Sequence, residues 1–187
     1  MDDATENAEN AENAENADHT AYADERDGLL ADAVGLREQG RPVEARDRLV
    51  ELSARYPDDA EVAYQTAWAH DVLGLEAEAV PFYERALKTP GELTEKDRRG
   101  ALLGLGSTFR VLGRYEEAVA TLRGAVEEFP EDGALRTFLA MALFNTGEHH
   151  ESAQLLLRLV AATSEDPYVI RYRKAIEYYA GDLDETV

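Results

Sequence analysis

The sequence contains no cysteine, and its 187 residues (20.7 kDa) include only three lysines and one tryptophan. The absence of cysteine excludes a disulfide scaffold, a thiol nucleophile and a cysteine-ligated zinc or iron–sulfur site. Basic residues are scarce: 19 Lys and Arg stand against 39 Asp and Glu, which gives a net charge of −20. This imbalance argues against binding to nucleic acid or to anionic membranes.

Long apolar runs are also missing. No stretch approaches the 18 or so consecutive apolar residues of a membrane-spanning helix, and the acidic beginning of the chain lacks the apolar core of a secretory signal. We therefore expect a soluble cytoplasmic protein.

Residues 1–25 differ in composition from the remainder. The triplet Glu-Asn-Ala occurs four times in succession over residues 6–17, and the segment holds nine acids with no Lys or Arg. It also lacks Leu, Ile, Val and Phe, so it cannot bury enough apolar area to offset the entropy of ordering. We predict a disordered acidic tail, and the alternative is an interaction segment for a basic partner.

The remainder of the chain is repetitive. The segment Gly113-Arg-Tyr-Glu-Glu-Ala118 has counterparts beginning at Gly40, Gly74 and Gly147, so the glycines are 34, 39 and 34 residues apart. Each counterpart precedes a second run with apolar residues at helical spacing, and three of these runs end at Pro57, Pro90 and Pro130. The unit is therefore predicted to be helix, glycine turn and helix, with the glycines in left-handed conformation.

This 34-residue unit resembles the tetratricopeptide repeat, and its amino-acid sequence is similar to that of the small bacterial group often called TPR group 5. The resemblance is most complete at Leu102, Leu105, Gly106 and Phe109 of one helix and at Ala118, Leu122, Ala125 and Pro130 of the next. It implies an all-α fold, a right-handed solenoid of four repeats over residues 26–187. The predicted repeats are 26–59, 60–93, 99–132 and 133–166, followed by a capping helix at 167–180.

Three glycines within the third repeat, Gly100, Gly104 and Gly106, are interpreted as packing positions because no phosphate-loop lysine follows them. A five-residue insertion separates repeats two and three, and Thr94–Asp97 is expected to start the third repeat early.

The last predicted helix begins at Asp166-Pro167, a typical N-cap followed by proline. It carries an aromatic stripe of Tyr168, Tyr172 and Tyr179. One interpretation is a cap that covers the fourth repeat. The other is a surface for self-association.

Catalytic and metal-binding patterns are weak. His149 and His150 are adjacent, which is not the i, i+4 spacing of a helical metal pair, and by register they are expected in a turn. His70 falls on an apolar helix and is interpreted as a core or groove histidine. We therefore predict a non-enzymatic protein without a cofactor or metal.

The resemblance further implies a concave groove lined by the first helix of each repeat. Trp68 and Phe144 are the expected aromatic anchors, and three arginines are expected to hold a carboxylate or phosphate of the partner. Met141 is equally consistent with inter-helix core. The full set carried over to this sequence is Arg37, Tyr64, Trp68, Asp71, Ser107, Arg110, Met141, Phe144, Asn145 and Arg171.

Two functions follow from these residues. The leading prediction is a scaffold that binds a partner peptide or helix in the concave groove. The alternative is a homodimer that associates through the groove or through Tyr168, Tyr172 and Tyr179. The lysine–asparagine clamp by which chaperone-adaptor TPR domains hold a C-terminal carboxylate is absent, because lysine occurs only at 88, 96 and 174.

Overall fold

The computed structural model describes residues 23–88 and 91–184, which form nine helices and no strand. The first helix, α1, covers 23–38. The other eight are α2 (Pro42–Arg55), α3 (Ala60–Asp71), α4 (Glu76–Ala86), α5 (Glu95–Val111), α6 (Tyr115–Glu128), α7 (Gly133–Thr146), α8 (His149–Thr163) and α9 (Pro167–Tyr179). The predicted all-α class is confirmed.

The helices follow one another as four hairpins, α1/α2, α3/α4, α5/α6 and α7/α8, with α9 after them. From α2 onward each helix packs against the next, and in addition α3 contacts α5 and α5 contacts α7. Hairpins that touch only their neighbours are the architecture of a helical-repeat solenoid. The first helices therefore stack on one another, and we call the surface they share the first-helix face.

Three predicted boundaries coincide with helix starts, at residues 60, 133 and 167. Helix α5 begins at Glu95, with Thr94 as its N-cap, four residues before the predicted start of the third repeat at 99. The early start anticipated for the insertion is thus confirmed: the Thr94 side chain accepts a hydrogen bond from the Asp97 N–H. Asp59, Asp132 and Asp166 cap α3, α7 and α9 in the same way.

The predicted tail, 1–25, lies outside the described residues except for 23–25, which are already helical. Glu25 accepts two hydrogen bonds from Arg55 of α2, and the next residue, Arg26, pairs with Asp59 at 2.7 Å. These contacts across helices explain why the helix starts before the predicted boundary.

The turns within the hairpins share one geometry. At the end of α1 the N–H of Gly40 bonds to the Arg37 carbonyl, and the N–H of Arg41 bonds to the Leu36 carbonyl, which is the Schellman pattern. The same pair of bonds closes α3, α5 and α7, and the glycines that make it all have positive φ: Gly40 (77°), Gly74 (70°), Gly113 (74°) and Gly147 (88°). The predicted left-handed glycines are confirmed.

The core lies between successive hairpins and within them, where large side chains of one helix fit against glycines of another. A Cβ added to Gly104 of α5 would lie 2.3 Å from the Tyr83 hydroxyl, and one added to Gly106 would lie 2.4 Å from Leu122 Cγ. These glycines therefore permit close helix approach, as predicted. Alanines at the helix crossings, such as Ala67, Ala79 and Ala118, are fully buried.

Candidate functional site on the first-helix face

The identical turns bring equivalent residues of the first helices into register. We call the residues three positions before each turn glycine the −3 row. The residues six positions before each turn glycine are the −6 row. The −3 row consists of Arg37, Asp71, Arg110 and Phe144. The −6 row consists of Val34, Trp68, Ser107 and Met141. Seven of the ten predicted groove residues belong to these rows.

Arg37 and Trp68 form the most defined contact on this face. The Arg37 guanidinium lies over the indole ring, with its carbon 3.8 Å from the ring centroid, and Nη2 donates a 2.8 Å hydrogen bond to Gln65 Oε1. The contact joins α1 to α3 and leaves Trp68 41% exposed. A tryptophan held in place by a stacked guanidinium is a preorganised aromatic surface.

The charge of Arg37 is unusual in this acidic chain. Most described arginines pair with a carboxylate, whereas Arg37 makes no such ion pair, and its Nη1 is buried with no acceptor among the described residues. Burial lowers the pKa of the Arg37 guanidinium from its usual value. The group nevertheless remains cationic near neutral pH, because arginine is not deprotonated in proteins.

Tyr64 was predicted to face the groove, but only 6% of it is exposed. Its hydroxyl points at α5, where a Cβ added to Gly100 would lie 2.2 Å from it, and its ring stacks on Trp68 at 5.9 Å between centroids. Tyr64 is therefore part of the packing between hairpins, and its ring packs against that of Trp68.

The Asp71 side chain also makes its contacts within the fold. Tyr83 of α4 donates to Asp71 Oδ2 at 2.7 Å, and Thr108 of α5 donates to Oδ1 at 2.9 Å. Burial raises the pKa of the Asp71 carboxyl, and these two hydrogen bonds act in the opposite direction. The carboxylate ties three helices together and has little capacity left for a ligand.

The C-terminal half of the face is more open. Ser107 and Arg110 are half-buried, and the Arg110 Nε is buried with no acceptor in the described part of the chain. Met141, Phe144 and Asn145 are exposed, with Phe144 at 62%, and the Phe144 ring lies 4.8 Å from that of His149.

Helix α9 is placed differently from the other first helices. It packs on α8 and makes no close backbone contact with α7, although α5 contacts α7 and α3 contacts α5. The exposed Arg171 lies 5.7 Å from the Tyr172 ring centroid. Tyr168, Tyr172 and Tyr179 are all exposed, with Tyr168 at 73%, so they do not cover the fourth hairpin.

The histidines have structural surroundings. His70 is buried, its Nδ1 donates to the Thr66 carbonyl at 2.8 Å, and its ring stacks on Phe82, so it is a satisfied core histidine. His149 and His150 form the first turn of α8 and not the preceding turn, which corrects the predicted placement. In the described ranges no three His, Asp or Glu side chains cluster as metal ligands would.

A cavity of about 750 Å³ lies elsewhere, between α1 and α2 at the N-terminal end of the stack. Its walls include Leu29 and Leu36 together with Arg41, Arg48 and Arg55. Arg41 and Arg55 already pair with Glu44 and Glu25, and both rows of the first-helix face lie outside this cavity.

The sequence analysis missed the residues that support the site. Gln65 holds Arg37, and Thr108 holds Asp71, but neither contact has a signature in the repeat pattern because both depend on which neighbouring side chains turn inward. Register alone could have identified the two rows, since each is counted from a turn glycine.

The comparisons with known proteins agree with this geometry. A family model described as Tetratrico peptide repeat matches residues 60–183, which is about two thirds of the chain. The chain belongs to the tetratricopeptide repeat family. The match covers α3 to α9, so the family pattern includes the last helix and begins after the first hairpin.

Two solved structures have the same fold. One is MamA 41-end from Desulfovibrio magneticus RS-1, 20% identical, with a TM-score of 0.66 over 84% of this chain and 89% of that chain. The other is the MamA RS-1 ArsTM double mutant, 19% identical, with a TM-score of 0.65 over 84% and 85% of the two chains. No curated protein shows significant similarity to the sequence.

The tetratricopeptide repeat fold is that of a protein-interaction scaffold in general. No helix in the described part of this chain is both long enough and apolar enough to cross a membrane.

Proposed function

We propose that this protein is a non-catalytic scaffold that binds an extended or helical peptide of a partner protein along its first-helix face. The observation that carries the proposal is Trp68, the only tryptophan of the chain, which is 41% exposed beneath the Arg37 guanidinium. Tryptophan and arginine are the residues most enriched in binding hot spots, and both are held here before any ligand arrives.

The peptide would extend from Trp68 toward Phe144. Ser107 and Arg110 lie between these two residues along the rows, and Met141 and Phe144 provide an exposed apolar end. Two apolar anchors separated by a half-buried arginine suit a peptide with two apolar side chains and an acidic residue between them. We propose a cytoplasmic location, supported by the absence of cysteine and of long apolar runs.

Selection from a phage-displayed library of random linear peptides on the immobilised full chain tests this function. Enriched peptides should bind the wild type and lose at least tenfold in affinity on Trp68→Ala and on Phe144→Ala. Phe144 is largely exposed, so its truncation leaves the core intact. The matched control is Val43→Ala, an exposed apolar residue of α2 outside both rows. Failure to enrich any peptide, or equal loss in the control, contradicts the proposal.

A second candidate function is self-association, and one observation favours it. None of the thirteen residues of α9 is buried, although an isolated helix of this length is marginal in water. A partner on the exposed side of α9 would supply the missing burial.

A further inference from the structure

The exposed side of α9 has a pattern that specifies its partner. At 100° per residue, Tyr168, Tyr172, Ala175 and Tyr179 fall within a sector of about 60° on the helix. All four are exposed, whereas Val169, Arg173 and Ile176, on the neighbouring sector, are half-buried against α8. We call the first four residues the tyrosine stripe. No residue of the stripe carries a charge.

The tyrosine stripe is nearly symmetric about the midpoint between Arg173 and Lys174. Tyr168 and Tyr179 lie at equal distances on either side of this point, and so do Tyr172 and Ala175. Reversing the helix therefore places a tyrosine on a tyrosine at each end and the large Tyr172 on the small Ala175 at the centre. A surface that matches its own reversed copy is what a two-fold interface requires.

We propose that two copies of this chain associate through an antiparallel pair of α9 helices, with the tyrosine stripes facing each other. Tyr168 of one copy then packs on Tyr179 of the second copy, and Tyr172 fills the space above Ala175 of the second copy, each contact occurring twice. Large side chains opposite small ones let the helices approach closely. A parallel pair would oppose Tyr172 with Tyr172 and leave a gap between the alanines.

The available area fits a modest dimer. With about 200 Å² for each tyrosine, the exposed parts of the three stripe tyrosines amount to roughly 370 Å² per copy. Two copies together supply roughly 730 Å², which is the size of a weak, reversible interface and less than the roughly 1,200 Å² of stable ones.

This inference rests on the self-association candidate and does not depend on peptide binding at Trp68. The two proposals can fail separately, because the stripe variants below leave Trp68 and Phe144 unchanged.

The first test is the mass of the full chain in solution by light scattering and sedimentation over a range of concentrations. The wild type should reach twice 20.7 kDa. Ala175→Arg, which fills the small central position, and Tyr172→Asp should each weaken the dimer at least tenfold. Glu177→Arg is the matched control, because Glu177 is exposed on the opposite side of the same helix and its replacement should leave the dimer intact.

The second test determines the relative orientation of the two α9 helices. Because the chain has no cysteine, single cysteines can be placed and joined with a short bis-maleimide. In an antiparallel pair, mixed Tyr168→Cys and Tyr179→Cys chains should cross-link to each other, while Tyr168→Cys alone should not, since its two copies are about 17 Å apart along the axis. A monomeric wild type, a dimer unaffected by the stripe variants, loss of the dimer in the control, or cross-linking of Tyr168→Cys with itself would each overturn the proposal.

Discussion

The phenolic hydroxyl of Tyr83 donates a 2.7 Å hydrogen bond to the carboxylate of Asp71, and the Tyr83 ring lies against Gly104 of the next hairpin. One buried tyrosine thus joins α3, α4 and α5. Asp71 belongs to the −3 row, yet its carboxylate accepts hydrogen bonds from Tyr83 and Thr108. The centre of the first-helix face is therefore a structural joint between the two proposed binding regions, one at Trp68 and one at Phe144.

The Asp71 carboxyl should give stability an identifiable pH dependence. Burial raises its folded-state pKa above the ordinary 3.8, so the folded protein binds this proton more tightly than the unfolded chain. The contribution is present below pH 3.8 and is lost as the pH rises through the folded pKa. The free energy of unfolding of the wild type minus that of Asp71→Asn should therefore decrease as the pH rises, measured by urea denaturation at several pH values.

Asp59 provides a control, because its contribution to stability should change with pH in the direction opposite to that of Asp71. Burial acts to raise its pKa, but hydrogen bonds from Arg26 and from the Val62 N–H hold the pKa below 3.8. Its contribution is present above pH 3.8 and is lost as the pH falls through the folded pKa. The free energy of unfolding of the wild type minus that of Asp59→Asn should increase with pH. If this difference changed with pH in the same way for Asp59→Asn and Asp71→Asn, neither carboxyl would be placed as described.

Glycine-to-alanine substitutions should have opposite effects at two classes of site. Gly104→Ala and Gly106→Ala each put a Cβ within 2.4 Å of Tyr83 or Leu122, and such overpacking costs about 1–3 kcal/mol of stability. Gly124→Ala, in the exposed middle of α6, meets nothing within 4 Å and should gain about 1 kcal/mol of helix propensity. Thermal unfolding followed by circular dichroism compares the three, and destabilisation by Gly124→Ala equal to the others would refute this packing.

Periodicity was sufficient to predict most of the fold. The spacing of Gly40, Gly74, Gly113 and Gly147 reflects a turn that needs positive φ, so the residue type directly reports the backbone conformation. Alanines and glycines at helix crossings are similarly dictated by the distance between backbones. The early start of α5 was readable from Thr94, whereas the exact boundary was not, because an insertion has no counterpart in the repeat.

The candidate site was less predictable. Register identified which side chains share the first-helix face, but it could not show that Tyr64 and Asp71 turn inward, since that depends on Gly100, Tyr83 and Thr108 of neighbouring helices. The stripe on α9 was visible in the sequence. Which side of α9 packs on α8 required the structure, because both sides carry apolar residues.

Arg37 should stabilise the first hairpin against the second. Removing it in Arg37→Ala eliminates the stacking on Trp68 and the bond to Gln65, and should lower the free energy of unfolding by about 1 kcal/mol. Arg37→Lys keeps the charge without the planar group and should recover only part of the loss. Arg158→Ala, on the exposed surface of α8, is the control and should change stability by less than about 0.5 kcal/mol. Equal losses of unfolding free energy for Arg37→Ala and Arg158→Ala, measured by urea denaturation, would contradict a specific role for Arg37.

The central claim is that a partner peptide occupies the first-helix face at Trp68, and the most direct measurement is the fluorescence of that residue. Because the chain has a single tryptophan, its emission reports this site alone. Titration of the full chain with a tryptophan-free peptide from the library selection should produce a saturable blue shift and protection from acrylamide quenching, as expected when a residue that is 41% exposed becomes covered. Saturable binding of the peptide, detected independently by calorimetry, with no change in the emission or quenching of Trp68 would show that the partner binds elsewhere.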